Sequence, residues 1–192
     1  MRVLVLGLDR STPDRLFGDD RLVTLRHLME AGLNGRLDGG AADLATRLRD
    51  EFARAGRRTS SARGFEGVRD AIPKDDWDLL TVADDPEDDR AFDDAVAGLL
   101  DLLDEETVLL IVSGPGAFVL AGPGVPALGE VEGARAIDLV PTLVALVGID
   151  IPNSMPGRVL IPAEDVAAPF FRGYTADEES ALLGRLSGLG YI

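Results

Sequence analysis

The sequence predicts an α/β fold, a three-layer sandwich with a largely parallel central sheet. Three observations lead there. Short unbroken apolar runs have the composition of strands covered on both faces, amphipathic stretches of helical period lie between them, and the two kinds alternate along the chain. Length agrees, because 192 residues of which 46% are hydrophobic suit one domain over residues 1–192. A domain of that size buries roughly 70% of its unfolded surface.

Residues 3–8 are continuously apolar and read as a central strand, with Asp9 at its exit. Thr12 and Pro13 supply a cap and a first-turn proline for a short helix. Over residues 21–31, Leu22, Leu25, Leu28 and Met29 recur at helical spacing and Gly32 stops the helix. His27 falls off that stripe and is expected to face solvent. A short strand follows at 33–37, then an amphipathic helix at 42–55 ended by Gly56, then a polar strand-like segment at 58–63. Residues 77–82 read as a strand leaving into Asp84, Asp85 and Pro86. The helix at 87–103 turns Phe92, Val96 and Leu99 inward, with Asp85 as its cap and Pro86 at its first position. Residues 108–112 form the strongest strand, and after a glycine turn 118–121 return as another. Residues 137–147 are apolar nearly all round and therefore buried, opened by Asp138 and closed by Gly148. Thr175 to Glu178 has capping-box spacing and opens a last helix running to about Leu186.

Composition excludes several functions. With 34 acidic residues against 19 basic ones the net charge is −15, so the mean field repels nucleic-acid backbones and anionic lipid. The absence of cysteine removes disulfides, thiolate nucleophiles and Cys-ligated zinc, and a single histidine excludes multi-His metal sites. Met1 and Arg2 lead straight into an apolar run too short for a signal h-region, which predicts a cytoplasmic protein. The uncharged stretch 107–129 contains eight Gly or Pro residues, which suits two strands joined by a turn and not a membrane helix.

Several segments resemble one family. The opening Val3-Leu4-Val5-Leu6-Gly7-Leu8-Asp9 with Thr12-Pro13-Asp14, then Leu25-Arg26-His27-Leu28-Met29-Glu30-Ala31-Gly32 and Gly35-Arg36-Leu37, resembles the N-terminus of type I phosphodiesterase/nucleotide pyrophosphatase-like proteins of the alkaline phosphatase superfamily. Phe118-Val119-Leu120-Ala121-Gly122-Pro123-Gly124-Val125, Ile137-Asp138-Leu139-Val140-Pro141-Thr142-Leu143, Gly148-Ile149, Met155-Pro156-Gly157-Arg158-Val159-Leu160 and Leu186-Ser187-Gly188-Leu189-Gly190-Tyr191-Ile192 resemble its closing blocks, in order. The resemblance covers about half of the chain. It implies an alkaline-phosphatase-like core lacking insertions. In the family, that core hydrolyses phosphate or sulfate esters with two divalent metals at the carboxyl edge of the sheet.

Under this resemblance Asp9 matches the first metal-ligand aspartate, and Asp84 or Asp85 can stand for the aspartate after a later strand. The rest departs from the family's pattern. Where the family places its Thr or Ser nucleophile, Asp38-Gly39-Gly40-Ala41 passes directly into a helix. Where it reads Ser-Asp-His-Gly, with two ligands, this chain reads Ser113, Gly114, Pro115, Gly116, and nothing stands for the remaining histidines.

Each candidate also has an ordinary reading. Asp9 is a strand-exit turn aspartate, and the acids from Asp84 to Asp89 complement the positive end of a helix. Ser113 lacks both a glycine two residues earlier and a histidine base, so a nucleophile elbow gives way to a strand end. The glycines at 114, 116, 122 and 124 enclose prolines without N–H groups and suit a tight turn better than a phosphate cradle. Arg54, Arg57, Arg58 and Arg63 form the basic cluster, a candidate anion or partner contact whose rival reading is pairing with surplus surface carboxylates.

The expectation is a catalytically silent relative that binds or assembles, through self-association or a protein partner, with no cofactor. The alternative is a phosphoric-ester hydrolase holding one Mg²⁺ or Mn²⁺ on Asp9 and Asp84 or Asp85. A small phosphorylated ligand in the cleft at the strand ends is a third use.

The charged set is itself biased, with 23 Asp to 11 Glu and 18 Arg to one lysine, Lys74. Dense carboxylates repel one another and need concentrated cations to screen them, which points to a halophile's cytoplasm; a GC-rich genome favouring Arg and Asp codons yields the same bias. A salt-adapted chain loses circular-dichroism signal and melts at lower temperature on dilution from molar KCl to low salt. A melting temperature unchanged by that dilution leaves codon bias as the explanation.

Overall fold

The computed structural model describes residues 1–8, 12–39, 41, 43–74, 76–84 and 88–162. The helix expected at 175–186, like Asp9 and Asp85, lies outside these residues. Strand β1 (Arg2–Leu8) runs parallel to β4 (Leu79–Asp84) on one side and to β5 (Thr107–Ser113) on the other. Val3, Leu4, Val5 and Leu6 are buried, so the backbone groups of β1 have no water to bond and depend on these two neighbours. The sheet continues as β3 (Thr59–Arg63) outside β4 and as β6 (Ala117–Ala121), β2 (Leu33–Asp38) and β7 (Gly129–Glu130) beyond β5. Strand β8 (Ala134–Arg135) also pairs with β2. Among the described residues β6 alone runs against the rest, because three residues join it to β5 and a parallel return needs a long crossover.

Side chains alternate across β1 and build two cores. Val3 and Val5, with Leu110 and Val112, pack under α3 (Leu44–Arg54) and α6 (Ala136–Leu146). Leu4, Leu6 and Leu8, with Leu109 and Ile111, pack against α1 (Pro13–Gly18), α2 (Val23–Ala31), α4 (Gly64–Ala71) and α5 (Asp89–Leu100). The described chain is thus α/β, with a mixed, mostly parallel sheet of eight strands and helices over both faces. None of its helices is long and apolar enough to cross a membrane.

The covering is uneven. In β3 the register Thr59↔Leu79, Ser61↔Thr81, Arg63↔Ala83 turns Thr59, Ser61 and Arg63 toward the α3 side, where all three are exposed. Among the described residues, the carboxyl half of β3 and the end of β4 at Ala83 are therefore left open on that face, while Thr81 is buried.

Several boundaries differ from the sequence reading. The helix placed at 87–103 starts at Asp89, and its cap is Asp88, whose carboxylate accepts the Arg90 N–H at 3.0 Å; Asp85 and Pro86 do not fill those roles. The strand placed at 77–82 begins at Leu79, because the Asp78 N–H is drawn to the Arg58 carbonyl at 2.8 Å, and it runs on to Asp84. The helix expected at 42–55 spans Leu44–Arg54. Helix α4, the 3₁₀ turn Ile72–Lys74 and the two-residue strands β7 and β8 were not anticipated. Helix α2 has no cap of its own; Asp93, on α5, accepts the N–H groups of Thr24 at 3.0 Å and Leu25 at 2.8 Å.

The closing blocks acquire a physical meaning here. Asp138, fully buried in the first turn of α6, accepts the N–H groups of Arg135 and Arg158, each at 3.0 Å. One turn later Thr142 donates its hydroxyl to the Asp138 carbonyl at 2.6 Å and accepts the Leu160 N–H at 3.0 Å. Pro141 lacks an N–H and leaves the Ile137 carbonyl without its helical donor. Gly157, at φ +102°, packs so close that a Cβ there would stand 2.4 Å from that oxygen. Aspartate, threonine, proline and glycine thus pin the segment 157–160 onto α6.

The Arg135 and Arg158 side chains are more than half exposed, so they regain water if Asp138 is removed. The cost is then set by the loss of two N–H bonds to a buried carboxylate, about 1.5–3 kcal/mol each for hydrogen bonds to a charged group. Asp138→Ala is expected to lower the unfolding free energy by about 3–6 kcal/mol, and Arg158→Ala by less than about 1 kcal/mol, in urea titrations. Equal losses would show that the ion pairs, and not the backbone donors, hold the segment.

Candidate functional site

Parallel pairing aligns the ends of the central strands. Leu8 is in register with Asp84 on one side and with Ser113 on the other, so Asp84, the residue preceding Asp9, and Ser113 form one row at the carboxyl edge. Open α/β sheets bind ligands at this edge. Within the row Asp84 is the described carboxylate, and it is partly buried.

Ser113 is fully buried and its hydroxyl is engaged in closing a turn. Its Oγ accepts the Ala117 N–H at 2.9 Å while its carbonyl accepts the Gly116 N–H at 3.1 Å. The turn is tied on both sides, Gly114 donating to the Leu8 carbonyl at 2.7 Å and the Leu37 N–H to the Gly116 carbonyl at 2.9 Å. Gly116, at φ +107°, leaves no room for a side chain, since a Cβ would lie 2.8 Å from the Leu37 oxygen. Ser113, Gly114, Pro115 and Gly116 therefore form a tight β5–β6 link, as the glycine and proline content implies.

The four arginines grouped in the sequence do not form one patch. Chain direction separates them, because α3 ends where β3 begins. Arg58 precedes β3 and Arg63 ends it, five extended residues and roughly 17 Å apart. Arg54 pairs with Glu51, and the Arg57 guanidinium donates to the Val147 carbonyl at 3.5 Å. Arg58 meets Asp78 through its N–H at 2.8 Å and its Nε at 3.2 Å. Those hydrogen bonds hold the Asp78 carboxyl below the usual carboxylate range. Arg63 alone of the four stands at the carboxyl edge. His27 is exposed on α2, away from that row.

No protein-family model matches the chain, and no curated protein matches it.

A cavity of about 500 Å³ opens between α3 and the uncovered strands. Its apolar floor includes Val5, Leu44 and Val112; Ser61 and Thr81 bring hydroxyls, and Arg49 and Arg63 bring guanidinium groups. The Arg49 side chain reaches the Thr46 hydroxyl at 3.4 Å, and neither arginine has a carboxylate partner among the described residues. Arg49, Ser61 and Thr81 were not singled out from the sequence. The signal for Arg49 was available: Ala45 and Arg49 flank the buried stripe Leu44, Leu48, Phe52 on the side that faces β3.

If the Ser113 hydroxyl serves the turn, Ser113→Ala lowers stability by about 1–2 kcal/mol in urea, the cost of weakening a buried N–H bond. An unchanged unfolding midpoint would show that the backbone closes the hairpin without it.

Proposed function

We propose that this chain is a catalytically silent relative of the type I phosphodiesterases, an alkaline-phosphatase-like core whose carboxyl-edge cleft and surface serve binding or assembly and not ester hydrolysis. The observation that carries the reading is the β5–β6 turn. Under the family resemblance, Gly114 and Pro115 occupy the two positions where metal ligands would stand, and neither offers a side-chain donor. The neighbouring hydroxyl, that of Ser113, is engaged in holding the turn. A two-metal phosphoryl transfer must neutralise four positive charges and aim a nucleophile in line between them. The residues of this edge do not fit that pair of ions.

One geometric fact favours a second reading. The register Leu8↔Asp84 aligns Asp84 with the strand that leads into Asp9. One or two protein carboxylates suffice for a hydrated Mg²⁺ or Mn²⁺, which keeps several waters. Such an ion would activate water directly.

Incubation of the full chain with bis(p-nitrophenyl) phosphate in molar KCl, with Mg²⁺, Mn²⁺ or Zn²⁺ supplied in turn, discriminates the two. The silent reading expects no nitrophenolate release above buffer. Metal-dependent release that Asp84→Ala abolishes and Ser113→Ala spares would establish the one-metal hydrolase instead.

A further inference from the structure

The geometry points to the α3 cleft as a recognition site for a small phosphomonoester, gripped by Arg49 and Arg63 without a metal; this assignment rests on the silent-relative reading above. Carboxylates outnumber cationic side chains 34 to 19, so an arginine on this surface readily finds an aspartate, as Arg15, Arg21, Arg36 and Arg58 do. Arg49 and Arg63, like Arg47, Arg57, Arg69 and Arg90, have no carboxylate partner among the described residues; what sets these two apart is that both line the same cavity. No carboxylate is among the described residues lining it. Two guanidinium groups on a lining without a described carboxylate offer an anion attraction that the rest of this acidic chain does not.

Chemistry narrows the anion. Guanidinium groups present planar forks that match phosphate oxygens bidentately, and unlike carboxylates they cannot bind a cation. The two arginines reach the cavity from different elements, Arg49 from α3 and Arg63 from the end of β3. The Ser61 hydroxyl, in register with Thr81, adds a donor on the strand side, while the Thr81 hydroxyl donates to the Ser60 carbonyl at 3.4 Å and offers its oxygen only as an acceptor. The volume of about 500 Å³ exceeds what a bare phosphate fills and falls in the range of roughly 300–1,000 Å³ typical of small-molecule sites. The floor of Val5, Leu44 and Val112 offers apolar contact to a carbon skeleton, and no aromatic ring among the described lining residues offers a base a stacking platform. A compact sugar phosphate fits these features better than a nucleotide.

The probe is ribose 5-phosphate, titrated calorimetrically into the full chain at a KCl concentration that keeps it folded by circular dichroism. Saturable binding is expected, weakened at least about tenfold in the Arg49→Gln/Arg63→Gln double variant through loss of charge-assisted hydrogen bonds. Arg90→Gln, on α5 and the opposite face, is the charge control and should bind like the parent chain. No saturable binding by the folded parent, equal binding by the double variant, or equal binding of citrate through the same arginines overturns the assignment. Release of inorganic phosphate from the bound probe would instead overturn catalytic silence and leave the cleft assignment standing, so the two failures are distinguishable.

Discussion

Strand β1 is buried in both cores, and its peptide groups can be satisfied only by strands on either side. Its parallel registry with β4 and β5 is the constraint from which the remaining geometry follows. It brings Asp84, Leu8 and Ser113 into one row, sends the chain from β5 into the short turn back through β6, and leaves β3 as the outer strand beyond β4. A one-residue slip would exchange the residues of the two cores, so the registry is strongly specified.

The second determinant is how unevenly helices are distributed. Among the described residues, four helices pack on the face of Leu4, Leu6 and Leu8 and two on the face of Val3 and Val5. The less covered face keeps a polar opening over β3 and β4, and a strand carrying Thr59, Ser61 and Arg63 outward tolerates that exposure. The cleft is thus the part of the sheet that α3 does not reach. In a chain of net charge −15, its arginines are the feature that distinguishes it from a gap in packing.

Much of the resemblance to the phosphodiesterase family falls on residues whose work is to hold the frame. Asp138, Thr142 and Gly157 pin one segment to α6, and none of them lines the α3 cleft. A resemblance carried by such residues speaks to architecture, and the nature of the edge must be judged from the side chains present there.

Strands β1, β5 and β6, the inner faces of α3 and α5, and the turn at Gly114 to Gly116 could be read along the chain, because burial and turn chemistry act over a few neighbouring residues. The start of α5 was misplaced because aspartates at 84, 85, 88 and 89 offered several caps, and only the packed helix selects Asp88. Adjacent arginines at 57 and 58 suggested a patch with Arg63 and Arg54. Strand direction undid it, since extended backbone carries Arg63 to the far edge. The sequence by itself determined the fold class and the acidic field, both of which depend on residue type and local period. Only the tertiary structure decided that Asp93 caps a helix distant in sequence, that Ser113 is sealed into a turn, and that Arg49 and Arg63 line one cavity. Those relations join residues far apart in the chain, and the registry of the sheet, which no local pattern encodes, brings them together.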